Sequence, residues 1–283
     1  MTVSESAPGV SFMEQNPSII QPYGSGIPLV LIHDGGGTTY SYHGLKSLDR
    51  PVYGIHNPRF YSGRAFKGGI PEMARIYAQL IELLDFHGRP FIIGGWSLGG
   101  LIALEITRAL GTYPYGPIAG TIMIDSPCPV SLPEGMISEP RLRFHDHCRL
   151  EIRLLVQLNM KVAVRMLQDY VPPTSTGDWH GEEGQNCTLL YEESNTKFLP
   201  HVTLLKAEEY SPTTKKTNAQ KSIALVDYFR ELTALGWEKA DCQLISDVLP
   251  IPGNHFDLFM EENLESTSNG LIAACEAIEL SLR

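Results

Sequence analysis

The chain has 283 residues, 43% of them hydrophobic and 19% charged, with a formal net charge of −10. That composition supplies a large buried core and leaves little for long disordered stretches, while the acidic balance speaks against nucleic acid as a partner, which needs clustered positive charge. No run reaches the apolar length of a membrane span, so no membrane partner is expected either.

Residues 1–26 begin Met-Thr-Val-Ser-Glu-Ser and lack a basic segment followed by an apolar one, so no signal peptide and a cytoplasmic location are expected. Pro8, Gly9, Pro17, Pro22, Gly24 and Gly26 mark this stretch as a loosely held lead-in. One domain is expected over residues 27–283. Its first element is a buried strand, Pro28 to His33, running into the loop His33-Asp34-Gly35-Gly36-Gly37. A second strand follows at Val52 to His56, then a helix from Ile70 to Phe86 with Pro71 in its first turn. The apolar positions Met73, Ile76, Tyr77, Leu80, Leu83 and Leu84 carry its helical period.

Strand Phe91 to Gly94, helix Leu98 to Leu110 and strand Ile118 to Ile124 continue the alternation, which stops after Asp125-Ser126-Pro127. An insertion then occupies about 129–200: Arg141 to Asp169 reads as one or two helices, and Pro172 to Gln185 is rich in Gly, Pro and acidic residues. Strand His201 to Lys206, helix Asn218 to Leu235, strand Asp247 to Ile251 and a helix through Leu271 to Leu280 complete the pattern. Alternating strands and helices imply an α/β fold, a mostly parallel sheet with helices on both faces. The five cysteines are scattered without a Cys-x-x-Cys pair, so reduced thiols are expected, with no disulfide framework and no zinc.

The run Gly94-Gly95-Trp96-Ser97-Leu98-Gly99-Gly100 sits between a predicted strand and a predicted helix. A Gly-x-Ser-x-Gly pentapeptide in that context bends sharply enough to expose the serine hydroxyl, which makes Ser97 the candidate nucleophile. A hydroxyl needs a base, an acid to orient that base, and donors for the oxyanion. His255, in Gly253-Asn254-His255-Phe256 behind the last predicted strand, is the candidate base among nine histidines. Two acids satisfy the serine, acid, histidine order: Asp125, and the pair Glu208 and Glu209 beyond the insertion. The shorter Asp125, at a strand end, is the better held and is preferred. The backbone amides of Leu98 and Gly35 are the expected oxyanion donors, Gly36 being next, with His33 and Asp34 as scaffold for the loop.

These blocks, in order, resemble the type I thioesterase domains of polyketide synthases and nonribosomal peptide synthetases, and among them fungal members most. The resemblance runs from about Ile27 to the C-terminus. It rests on Leu31-Ile32-His33-Asp34-Gly35-Gly36-Gly37, Val52-Tyr53-Gly54-Ile55, the serine elbow, Met123-Ile124-Asp125-Ser126, Gly236-Trp237-Glu238 and Gly253-Asn254-His255-Phe256. It implies an α/β-hydrolase fold, Asp125 rather than Glu208 as the acid, and a helical lid over about 129–200. It also implies an acyl chain delivered as a phosphopantetheine thioester by an acyl or peptidyl carrier protein, with no cofactor of the enzyme's own. Release by water gives an acid; attack by an internal hydroxyl or amine gives a lactone or lactam. Met1 and the single domain favour a freestanding enzyme, a domain excised from a larger synthase being the alternative.

Other signals are weaker. Arg141, Arg149, Arg153, Lys161 and Arg165 recur at multiples of four and could receive an acidic carrier, or simply be a solvated face. Leu154, Leu155, Leu158, Val162, Trp179 and His180 could line an acyl tunnel or merely pack the lid. His145-Asp146-His147-Cys148 is poorly spaced for a metal, and Asn186 heads a glycosylation sequon that needs a secretory route. A small-molecule carboxylesterase with the same three residues, and a catalytically silent ligand-binding protein of the same fold, are the competing readings.

Overall fold

A computed structural model of the protein describes residues 15–112, 116–129, 137–138, 142, 144, 148–172, 201–212, 223–239 and 244–283. Among these, seven strands form one sheet in the order β1-β3-β2-β4-β5-β7-β9. They are β1 (Ser18–Gln21), β2 (Leu29–Ile32), β3 (Val52–Ile55), β4 (Phe91–Trp96), β5 (Ile118–Ile124), β7 (Val202–Glu209) and β9 (Asp247–Asn254); β6 (Ile137–Ser138) and β8 (Ile223–Ala224) form a separate parallel pair. Every neighbour in the large sheet pairs in parallel except β1, which is antiparallel to β3.

The central strands read as near-continuous apolar runs because both their faces are covered. Val30, Ile32 and Ile93 pack with Ile70, Met73 and Tyr77 of α1 (Gly69–Ile81) and Leu101, Ile102 and Ile106 of α2 (Leu98–Leu110). Leu29, Leu31, Ile92 and Ile122 pack on the other side with Leu271, Ala274 and Ile278 of α4 (Leu264–Ser281). The switch of face between Leu29 and Val30 is the two-residue strand period. Each such buried aliphatic side chain contributes about 1.5–3 kcal/mol.

Several expectations are corrected. Part of the lead-in is ordered structure: β1 takes the sheet edge, with Gln21 donating to Lys46 O at 2.8 Å and accepting from the Leu48 amide at 2.9 Å. Helix α1 ends at Ile81, short of Phe86, because Asp85 caps the His87 amide at 2.9 Å while His87 and Gly88 take left-handed φ of 52° and 74°. The helix expected over Asn218 to Leu235 is absent from its described part, which holds β8, a 3-10 turn at Leu225–Asp227 and turns to Gly236. Leu235 and Gly236 have φ of 49° and 90° there, and Asp227 and Arg230 point inward rather than to solvent.

The expected lid lies largely outside the described residues, as do Arg141, His145 to His147, Trp179, His180 and Asn186. Its described helix is α3 (Leu150–Gln168). Leu154 and Leu158 are exposed at 57% and 44%, and Arg149, Lys161 and Arg165 face solvent. The opposite side carries Asn159, whose Oδ1 accepts from Asn57 Nδ2 at 2.7 Å, and Ala163, both buried. Just beyond the helix, the Tyr170 hydroxyl donates to Glu105 Oε1 at 2.7 Å, tying α3 to α2.

Candidate active site

The glycines around Ser97 are dictated by what lies beside them. A Cβ at Gly95 would sit 2.5 Å from the Gly99 carbonyl carbon, and one at Gly99 would sit 2.5 Å from Ile32 O and 2.6 Å from His33 O. Strand β4 and helix α2 therefore close on each other, and the elbow comes to rest against the end of β2. Ser97 pays in conformation, with φ 57° and ψ −117°, a strain of about 1–3 kcal/mol. Its amide donates to Ile124 O at 2.9 Å, so the elbow is fastened to β5. Leu98 opens α2 directly after it, which puts its amide among the unpaired donors of a helix N-terminus.

Asp125 follows β5, is fully buried and has φ 45°. His255 follows β9, is 2% exposed, and its Nδ1 lies 2.8 Å from Asp125 Oδ2. With Nδ1 donating to the carboxylate, Nε2 carries the lone pair. The Trp96 ring, one residue before Ser97, lies 5.5 Å from the His255 ring, so elbow and histidine loop share one end of the sheet. Burial alone would raise the Asp125 carboxyl, but hydrogen bonds and charge from His255 and Arg230 outweigh it and hold it at about 2. Glu208 and Glu209 end β7 and are exposed, unlike Asp125.

The glycine loop is stiffened from within. Gly36 N–H donates to Asp34 Oδ1 at 3.0 Å and Gly37 N–H to Asp34 O at 3.1 Å, so the Gly36 amide is already committed. Among the described residues no acceptor takes the Gly35 amide. His33 Nδ1 lies 2.5 Å from Asp34 O and Nε2 lies 2.6 Å from the Tyr77 hydroxyl. Burial pushes the His33 imidazole down to about 4 and the Asp34 carboxyl up to about 6. A neutral ring with Nδ1 donating and Nε2 accepting satisfies both contacts. Helix α3 roofs the loop, Met160 Sδ standing 2.8 Å from where a Gly35 Cβ would be.

Sequence reasoning missed the supporting roles of five residues. The Tyr42 hydroxyl donates to Ile32 O at 2.7 Å and accepts from the Trp96 amide at 2.9 Å, pinning the ends of β2 and β4 together. Tyr77 holds His33, though only its helical spacing was visible. Arg230 reaches Asp125, and Asp227 holds Arg230, from a segment whose three-residue spacing looks like an ordinary helix surface pair. The Trp237 indole donates to Ser126 O at 2.8 Å, anchoring the same segment. Among the described residues no group of three or more His, Cys, Asp or Glu could hold a metal ion, and no helix is long and apolar enough to cross a membrane.

A family model for the thioesterase domain matches residues 27–147. The thioesterase frbD of Dothideomycetidae sp. (strain 11243) is 35% identical over 274 residues, covering 93% of this chain and 94% of that protein. The nonribosomal peptide synthetase imqB of Aspergillus flavus is 36% identical over 283 residues, covering 97% of this chain, which spans only 8% of that protein's length. Among solved structures, the NocB thioesterase domain from the nocardicin cluster superposes with a TM-score of 0.63 at 24% identity, covering 92% of this chain and 99% of that one. That likeness identifies the sheet and its helices as an α/β-hydrolase fold.

Proposed function

The chain belongs to the thioesterase family, and on that premise we propose that it releases a polyketide or peptide acyl chain from a carrier-protein phosphopantetheine thioester through an acyl-Ser97 intermediate. The observation that carries this reading is the buried His255–Asp125 hydrogen bond of 2.8 Å, with the Trp96 ring that precedes the φ 57° serine 5.5 Å from the His255 ring. Ser97 Oγ attacks the thioester carbonyl as its proton passes to His255 Nε2, and Asp125 stabilises the imidazolium. The oxyanion accepts from the Leu98 and Gly35 amides, each such donor being worth about 10²–10³ in rate. Collapse breaks the C–S bond, His255 returns the proton to the departing thiol, and acyl-Ser97 remains. Water, or a hydroxyl or amine of the acyl chain, then attacks the ester with His255 as base, giving an acid or a ring. The relatives' names place them in thioesterase and nonribosomal peptide synthetase settings, which supports a carrier-bound substrate over a free oxyester.

Intact-protein mass after brief exposure to acyl N-acetylcysteamine thioesters tests this. The wild type should gain an acyl mass that Ser97→Ala does not, and then release acid or ring. Cleavage of simple oxyesters with no thioester turnover would replace the proposal with a carboxylesterase. No reaction with either, on folded protein, would leave a silent binding protein.

A further inference from the structure

We propose that Arg230, itself held by Asp227, is a positioning residue for the His255–Asp125 pair, fixing the carboxylate that orients the imidazole and setting the charge of the buried cluster. The inference rests on the assignment of Ser97, Asp125 and His255 made above. Arg230, Asp227, Asp125 and His255 are 3%, 1%, 0% and 2% exposed. Arg230 Nη1 lies 2.5 Å from Asp125 Oδ1 and Nη2 2.8 Å from Oδ2, a two-pronged grip. The remaining donors are also used: Nε and Nη2 on Asp227 Oδ1 at 3.0 and 2.7 Å, and Nη1 on Ala207 O at 3.0 Å.

Asp125 is correspondingly saturated. Oδ1 accepts from the Ala207 amide at 2.9 Å and from Arg230; Oδ2 accepts from His255 and from Arg230. The carboxylate has no freedom to rotate, so the oxygen facing His255 is chosen by the arginine. Asp227 is fixed in turn by the Ser211 amide at 2.7 Å. Lysine, with three donors on a single nitrogen, could not reproduce this fork.

The charge balance supports a part in the reaction. With His255 neutral, two carboxylates and one guanidinium leave one excess negative charge in a buried site. When His255 takes the serine proton the cluster becomes neutral. Removing Asp227's charge would leave the imidazolium less stabilised, and removing Arg230's would leave it more so. The other titratable groups facing the pair are Asp34 from the loop after β2 and, beyond it, Tyr42; Tyr210, whose hydroxyl donates to Glu231, lies within reach of the charges of Asp227 and Arg230. A buried ion-pair cluster is a poor stabiliser compared with apolar packing, so its placement on both oxygens of Asp125 points to orientation.

The test compares full-length wild type with Asp227→Asn, Arg230→Gln and Arg230→Lys, each also in an Asp34→Asn background to remove that carboxyl's titration. Two readouts are taken: the acid limb of kcat/KM on an acyl N-acetylcysteamine thioester, and the NMR titration of the His255 ring, which needs no turnover. Asp227→Asn should move both midpoints down and Arg230→Gln should move them up, by about one to two pH units. Both Arg230 variants should lose about 10–100-fold in kcat with KM little changed. Midpoints that coincide with wild type, or shift in one direction for both charge changes, overturn the proposal. If Arg230→Gln does not fold, an unmoved midpoint in Asp227→Asn overturns it alone. Wild type without Ser97 acylation or turnover would instead defeat the thioesterase reading, and the ring titration would still decide the role of Arg230.

Discussion

Replacing Tyr170 with Phe removes one oxygen and leaves the ring, so no cavity forms and the loss belongs to a single hydrogen bond. The hydroxyl donates to Glu105 Oε1 at 2.7 Å, and Glu105 is 2% exposed on the elbow helix. A hydrogen bond to a charged group contributes about 1.5–3 kcal/mol, and an abandoned buried acceptor adds to the loss. Arg108 softens it, because its Nε and Nη2 still reach Glu105 Oε2 at 2.9 and 2.7 Å. The expected cost is about 2 kcal/mol, a fall in Tm of about 4–6 °C for a domain of this size. Since Tyr170 joins α3 to α2, amide exchange should quicken first in the last turns of α3, while β4 and β5 keep their protection. An unchanged Tm with unchanged exchange over residues 160–170 would refute the claim that this contact holds the helix down over the glycine loop.

Gly35→Ala would put a methyl 2.8 Å from Met160 Sδ; the flexible Met160 side chain can swing aside, so it should cost about 1 kcal/mol or less while lowering kcat, and Met160→Ala in the same chain should restore turnover, read by urea unfolding and kinetics. Asp125→Asn places an amide NH₂ against two of four donors whichever oxygen it replaces, since both oxygens are fully engaged; kcat should fall by about 10⁴, as when a triad acid loses its acceptor, with circular dichroism checking the fold. Burial holds the His33 imidazole near 4 against an ordinary 6.5, so the unfolded chain takes up its proton first as the pH falls. Stability contributed above pH 6.5 should be lost progressively down to pH 4, by up to about 3 kcal/mol. His33→Gln should flatten that part of the urea midpoint's pH dependence; superimposable curves would count against a buried neutral His33.

Much of the architecture was legible because its signals are local. Leu29 to Ile32 is apolar without interruption and Ile118 to Ile124 is apolar apart from Thr121, which strands covered on both faces require, and α1 and α2 carry a helical period between them. The elbow was legible for the same reason: Gly95 and Gly99 answer to contacts within a few residues of Ser97 or with the adjoining strand end. The segment 223–239 was misread because its apolar spacing suits a helix, while the forces that shape it come from far along the chain. Arg230 turns inward to an acid 105 residues away, and no window of sequence contains that attraction. β1 was missed likewise, since an edge strand is short and its pairing with β3 is not local.

The sequence by itself therefore determined the alternating fold, the strained serine turn and the residue types a serine mechanism needs, because periodicity and glycine sterics act between near neighbours. Only the tertiary structure decided which acid meets His255, which loop amide is left uncommitted, and that a buried arginine holds the acid in place. Those choices depend on burial and hydrogen-bond saturation among groups the chain separates by scores of residues, and they exist only once the sheet has brought the strand ends together.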